Sequence, residues 1–199
     1  VCIDAMIGSI IAFGSLGWNH AVTCTGRNFS YRKQLFDEIQ GFSEIDNILT
    51  GDDDLFMMKA SRKTNWNIRF ISDAQAAVTS FAPNGWRHFA TQRKRHISAS
   101  KYFSLSVKIG FSLFYLSKLF MMIYLLLSIF FKIAALVPLV LIITAYFITF
   151  ITLMILGYKN GQGRLIILYP LWEIYYLMNN FLLGPLGLIG PITWGKRNV

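Results

Sequence analysis

Apolar residues dominate the second half of the chain, whereas polar residues recur throughout the first half. Residues 119–156 form a run of 38 residues with a single charge, Lys132. One helix of that length would be about 57 Å long, and a bilayer core is about 30 Å thick. The run therefore predicts two membrane spans, near 112–131 and 134–156, that turn around Lys132. Pro138 falls in the first turn of the second span, where its missing N–H costs little.

A third apolar stretch, residues 165–192, is interrupted by polar residues. One face of the predicted helix is polar and carries Glu173, Tyr176 and Asn180. The largely opposite face is apolar and carries Leu171, Ile174, Met178 and Phe181. This pattern predicts a helix near 165–183 that lies in the membrane interface, with a third membrane helix as the alternative.

The charges follow the same division. Residues 1–110 hold 13 of the 19 Lys and Arg residues and 9 of the 10 acids, whereas residues 111–199 hold one acid, Glu173. Only 15% of the whole chain is charged, against about 25% in a soluble domain, which excludes a disordered chain. Basic clusters flank the apolar segments, so the positive-inside rule predicts a multi-pass protein of the cell (inner) membrane with a cytosolic polar half. This topology explains the basic excess, and we expect no nucleic-acid partner.

Short strands are predicted in the polar half at 21–28, 66–72 and 76–81. Helices are predicted between them, at 31–39 with Gly41 as its end, and from a cap at Thr50 or Asp52 through residue 64. A further basic helix begins near Trp86 and leads to the membrane. Alternating strands and helices predict an α/β domain.

Three consecutive acids, Asp52, Asp53 and Asp54, follow Gly51. Adjacent carboxylates repel one another, so at least one of them should have a raised pKa unless cations lie near. Such a group can serve as a general base. The alternative is an acidic helix N-terminus that is favoured by the helix dipole.

A basic cluster, Gln92-Arg93-Lys94-Arg95-His96, precedes the first span. Arginine binds phosphate oxygens through two parallel hydrogen bonds, so the cluster could neutralise a diphosphate leaving group. The alternative is a contact with anionic lipid. The stretch from Thr25 to Lys33 offers Gly26 for a close backbone approach, with Asn28 and Tyr31 as hydrogen-bonding groups.

Taken in order, TGRNFSYRK, GF, GDDDLF, QRKRH and the paired membrane helices resemble the membrane-bound family 2 glycosyltransferases. These inverting enzymes of the GT-A fold include proteins similar to cellulose, chitin and hyaluronan synthases. The resemblance extends from about residue 1 to the end of the chain. It implies an α/β fold, the C-terminal part of a GT-A nucleotide-diphospho-sugar transferase domain followed by transmembrane helices. Residues 1–110 would be its acceptor-side half with a juxtamembrane basic helix, and residues 111–199 the membrane region.

The resemblance also implies roles for individual residues. Asp52 and Asp53 match the family's catalytic acidic pair, and Asp53 would be the base. Gln92 would shape the acceptor channel, and Arg95 would contact the donor pyrophosphate. His96 stands where the family usually has Trp, which puts processive synthesis of a long polymer in doubt.

Further substrate contacts are implied for Gly26, Asn28, Tyr31 and Arg32 on the acceptor side and for Arg93 beside Arg95. The substrates would be a nucleotide sugar, first of all a UDP-sugar, and a lipid-linked or glycan acceptor for polysaccharide or cell-envelope synthesis. The family implies Mg²⁺ or Mn²⁺, with ligands upstream of this chain. Two other classes stay open: an inactive membrane anchor or assembly partner that keeps the fold, and a transporter or lipid-binding module.

Overall fold

The computed structural model describes residues 2–18, 20–48, 50–131, 135–159 and 161–189, together with the backbone at 193–194 and 197–198. Helices dominate this part of the chain. In chain order they are α1 (Cys2–Gly17), α2 (Lys33–Glu38), α3 (Asp52–Lys63), α4 (Gly85–Ala99), α5 (Leu105–Phe131), α6 (Leu136–Lys159), α7 (Tyr169–Met178) and α8 (Gly184–Ile189). A π-helical turn, Asn179–Leu183, joins α7 to α8.

The predicted α/β fold is wrong for the residues that the structure describes. Within them, the strands are β1 (Thr193–Trp194) and β2 (Arg197–Asn198), which pair antiparallel with each other. Residues 66–72 and 76–81 form no strand, and 26–28 is a 3₁₀ turn. β-Branched and aromatic residues favour an extended backbone, but a strand also needs a hydrogen-bonded neighbouring strand. None of the described segments forms a strand beside these stretches, so the sheet of a GT-A domain is not formed in this part of the chain.

The helix predictions for the polar half are confirmed, except for one cap. Helix α2 is followed by Gly41, whose φ of +53° suits glycine and whose N–H donates to the Phe36 carbonyl at 2.8 Å. Helix α3 begins after Gly51, whose backbone has a left-handed conformation, and no side chain caps the helix. Thr50 was expected as a cap, but its hydroxyl is buried and lies instead 3.1 Å from the Ser98 Oγ. Helix α4 begins at Gly85, as the basic segment predicted.

The chain divides into two compact units. The first comprises residues 1–103 and 167–199, and the second comprises residues 104–166. In the first unit, α2 and α3 share a core of Leu35, Ile39, Phe56 and Ala60. Because Phe56 is fully buried on α3, this core fixes the helix whose first turn carries the three acids.

The second unit contains the helical hairpin α5 and α6. These helices have 27 and 24 residues and are long and apolar enough to cross a membrane. Their side chains are largely exposed, as expected for a surface whose solvent is lipid, and this indicates membrane association. Pro138 lies in the first turn of α6, as predicted. The predicted turn at Lys132 lies outside the described residues.

Helices α7 and α8 belong to the first unit, where α8 packs on α4. A Cβ atom at Gly187 would lie 2.9 Å from the Ile97 side chain and from the Lys94 carbonyl, so this contact requires glycine. On α7, Tyr169 and Trp172 are buried, whereas the predicted apolar face of Leu171, Ile174, Met178 and Phe181 is exposed. Whether this face meets lipid stays a prediction.

Candidate active site

The acidic and basic motifs meet where the start of α3 packs against the end of α4. The Thr50 and Ser98 hydroxyl oxygens lie 3.1 Å apart, and both residues are buried. Gly51 lies so close to α4 that an added Cβ would be only 2.6 Å from the Ala99 Cβ. Residues about 48 positions apart in sequence are thereby held together, and the acids at 52–54 come beside the basic turn of α4.

We expect Gly51→Ala to destabilise the first unit by about 1–3 kcal/mol. The reasons are the φ of +76° at this residue and the 2.6 Å approach to Ala99, both of which disfavour a side chain. Thermal unfolding of the purified protein measures the effect. Gly8→Ala is the matched control, because nothing lies within 4 Å of its Cβ position in α1, and it should be neutral or stabilising. Equal melting temperatures for the two variants would contradict the packing described here.

Two backbone N–H groups orient the carboxylate of Asp53. Gly26 donates to its Oδ2 at 2.5 Å, and the amide of Asp54 donates to its Oδ1 at 3.0 Å. A Cβ at residue 26 would lie 3.2 Å from the same Oδ2, so a larger residue there would fit only if the Asp53 carboxylate shifted by a few tenths of an ångström. Asp53 therefore has a fixed orientation at the first turn of α3, and Asp52 beside it is exposed.

Asp54 is turned inward toward the segment that leads to Gly26. Its Oδ1 accepts hydrogen bonds from the Cys24 amide at 2.7 Å and from the Thr23 hydroxyl at 3.0 Å. Burial raises the pKa of Asp54 from 3.8 to about 6, and the charges of Asp53 and Asp52 add to the effect, although both hydrogen bonds oppose it. One of the three carboxyls therefore has the raised pKa that was expected, but burial and not repulsion between the acids is its main cause. Burial and the same acids also raise the pKa of the Cys24 thiol, which keeps it protonated at neutral pH.

The raised pKa of Asp54 predicts a pH dependence of stability. Because the folded-state pKa lies above the unfolded value, the protonated carboxyl favours folding below about pH 4, and this contribution is lost as the pH rises through about 6. Asp54→Asn removes the titration and keeps an acceptor oxygen. Relative to this variant, the wild type should lose up to about 3 kcal/mol of stability between about pH 4 and pH 7. A difference between the two proteins that stays constant over this range would contradict the prediction.

Arg95 and His96 lie near the acids on the α4 side. Desolvation lowers the pKa of Arg95, and the carboxylates of Asp52 and Asp53 act in the opposite direction, so these three charges are close enough to interact. The pKa of His96 is lowered to about 4, first by desolvation and then by the charges of Arg93 and Arg95. Because the residue is exposed, its desolvation is incomplete, and the two guanidinium charges help to keep the imidazole neutral at physiological pH. Gln92 lies one turn before His96 and is half-buried.

Four other residues that were predicted to contact substrate interact instead with other parts of the protein. The Asn28 side-chain amide donates to the Ala76 carbonyl at 2.8 Å. Tyr31 packs with its ring centroid 4.5 Å from that of Phe56, and Arg32 lies 5.9 Å from the Trp66 ring, beyond the other end of α3. Arg93 donates from Nη2 to the Asp4 carboxylate at 2.9 Å. The same carboxylate accepts from the Trp172 indole at 2.9 Å, so Arg93 ties α4 to α1 and α7.

Two residues near the acids were missed by the site prediction, Arg27 and Asp54. Arg27 is exposed next to Gly26, donates to the Ser80 hydroxyl and lowers the pKa of His96 through its charge. The sequence signal for Arg27 was its position as a cation next to Gly26, inside the stretch from Thr25 to Lys33. The third acid after Gly51 was the signal for Asp54, but the sequence did not show which carboxylate points inward.

Among the residues that the structure describes, no group of three or more His, Cys, Asp and Glu side chains is arranged to hold a metal ion. Two of the three adjacent acids use carboxylate oxygens to accept hydrogen bonds from the 23–26 segment. The Mg²⁺ or Mn²⁺ that the resemblance implies, with ligands upstream of this chain, stays a prediction.

The family model for glycosyl transferase family group 2 matches residues 2–159, which include the acidic turn, the basic turn of α4 and both long apolar helices. The chain belongs to this family of glycosyltransferases. Membership implies a nucleotide-sugar donor and an acceptor in general. No curated protein and no solved structure matches the chain.

Proposed function

We propose that the protein is an inverting glycosyltransferase that acts at the cytosolic face of the cell membrane. It moves a sugar from a nucleotide sugar to a lipid-linked or glycan acceptor in polysaccharide or cell-envelope synthesis. The proposed donor is a UDP-sugar. The observation that carries this proposal is the contact between α3 and α4. It brings an oriented carboxylate, Asp53, within interaction range of Arg95. A single displacement needs both a base for the acceptor hydroxyl and a positive charge for the diphosphate leaving group.

In the proposed reaction, Asp53 takes the proton from the acceptor hydroxyl as its oxygen attacks the anomeric carbon. The new glycosidic bond forms on the face opposite the nucleotide, and the bond to the diphosphate oxygen breaks. The electron pair leaves with the nucleoside diphosphate, whose negative charge Arg95 stabilises. Asp52 keeps the local potential negative, which favours proton uptake by its neighbour.

Arg27 is a second cation for the same diphosphate. It extends from the residue next to Gly26, and its guanidinium has donors beyond the hydrogen bond to Ser80. The divalent cation stays a prediction from the resemblance, and no step described here passes through it.

His96 supports a limited transfer rather than long polymer synthesis. The imidazole is neutral and offers a smaller stacking surface than an indole. We propose that the product gains one or a few sugars. Gln92, one turn away, would contact the acceptor.

The two long apolar helices support a location in the membrane. The exposed apolar face of α7 and α8 would lie in the membrane interface. On the other side of α7, the hydrogen bond from Trp172 to Asp4 holds the helix to the rest of the catalytic unit. Basic residues flank these segments, and the positive-inside rule supports a cytosolic location of the catalytic unit.

A panel of radiolabelled UDP-, GDP- and ADP-sugars tests the proposal. Membranes that contain the full chain should transfer label from one donor to a lipid-extractable or glycan fraction. We expect that donor to be a UDP-sugar. Membranes without the protein provide the background. Failure of every donor to exceed that background would contradict the proposed function, whereas label in a long polymer would contradict only the limited transfer.

A further inference from the structure

We infer that Asp54 is a positioning residue, which holds the Thr23–Gly26 segment against α3 so that the Gly26 N–H can orient the Asp53 carboxylate. This inference rests on the proposed function of Asp53 as the base. Asp54 touches no reacting atom in this account. It acts through a backbone segment about 30 residues away in sequence.

The contacts form a short chain from Asp54 to Asp53. One carboxylate oxygen of Asp54 binds both the Thr23 hydroxyl and the Cys24 amide, at 3.0 and 2.7 Å. Two residues later the Gly26 amide donates to Asp53 Oδ2 at 2.5 Å. The first two contacts therefore fix the position from which the third is made. Thr25 and Gly26 are exposed, so this turn is held from its two sides, by Asp54 through Thr23 and Cys24 and by the bond from Asn28 to the Ala76 carbonyl.

The adjacent acids thus have separate tasks. Both residues are half-buried. Asp53 accepts from the amides of Gly26 and Asp54, whereas Asp54 accepts from the Thr23 hydroxyl and the Cys24 amide. An asparagine could make the same two acceptor contacts, because its side-chain oxygen has two lone pairs. An alanine could make neither. Comparison of these two replacements separates hydrogen-bond geometry from charge.

The test measures kcat and the donor KM of the full chain in membranes, with the donor that gives transfer. Asp54→Ala should lower kcat about 10- to 100-fold, as expected when a reacting group is displaced by about 1 Å, and should leave the donor KM within about threefold. Asp54→Asn should keep kcat within about threefold at neutral pH. Asp46→Ala removes an exposed acid outside the cluster and should change neither constant.

Thr23→Val removes one of the two donors with little change in shape, and it keeps the test valid if Asp54→Ala fails to fold. It should lower kcat less than Asp54→Ala. The double variant should be no worse than Asp54→Ala alone, because both changes break the same contact. Full additivity of the two losses would overturn the inference.

Two further results would also overturn it. One is a kcat of Asp54→Ala equal to that of Asp46→Ala, and the other is an Asp54→Asn variant as slow as Asp54→Ala. Asp53→Asn, measured in parallel, separates this inference from the proposed function. If that variant is inactive and Asp54→Ala is normal, only the positioning role fails; if Asp53→Asn turns over normally, both fail.

Discussion

Asp53→Asn should reduce the rate of sugar transfer by about 10³- to 10⁴-fold, near the upper end of what a general base contributes. An amide cannot take the acceptor proton, but it keeps the size of the carboxylate and one oxygen, which can accept from either the Gly26 or the Asp54 amide. The fold and the donor site should therefore survive. Initial rates with saturating donor, and donor affinity from equilibrium binding, measure the two effects separately.

Asp46→Asn is the matched control for this experiment, because it makes the same chemical change at an exposed acid outside the acidic turn. We expect it to keep the wild-type rate. Donor affinity of Asp53→Asn should stay within about threefold of wild type. A rate for Asp53→Asn within tenfold of the control would remove Asp53 from the role of base.

The second large effect is expected for Arg95→Gln. Loss of one group that stabilises transition-state charge typically costs about 10²- to 10³-fold, and Arg95 interacts with Asp52 and Asp53 in this site. Since the charge would act on the departing diphosphate, kcat should fall, and donor affinity should fall with it. Steady-state kinetics over a range of donor concentrations resolve both losses.

Arg95→Lys and Arg87→Gln complete this comparison. Lysine keeps the charge but not the two parallel hydrogen bonds, so Arg95→Lys should recover only part of the rate. Arg87 is exposed two turns earlier on the same helix, and its replacement should have no effect. An Arg87→Gln variant as impaired as Arg95→Gln would show that the general charge of α4 matters and not the position of Arg95.

Most helices of this protein could be predicted from its sequence because their signals are local, but the helix at Cys2–Gly17 was missed. The single charge within residues 119–156 required two spans, and the structure has helices of spanning length at Leu105–Phe131 and Leu136–Lys159. The glycine after α2 and the acids of α3 likewise marked helix ends. The strand predictions failed because residues 66–72 and 76–81 are rich in β-branched and aromatic residues but have no neighbouring strand among the described segments.

The site could be predicted only in part. Motif order anticipated that Asp53, Gly26 and Arg95 belong together, and the structure brings them into one region. It did not anticipate that Arg93 pairs with Asp4 or that Tyr31 packs on Phe56. Such partners lie 25 or more positions away in sequence, and only tertiary packing selects them.

In the proposed reaction, one oriented carboxylate activates the acceptor for a single displacement at the anomeric carbon. The anomeric configuration of the product, read by NMR from a reaction with a donor of known configuration, tests this mechanism. We expect inversion, so that an α-linked nucleotide sugar gives a β-glycoside. A product that retains the α configuration would contradict it.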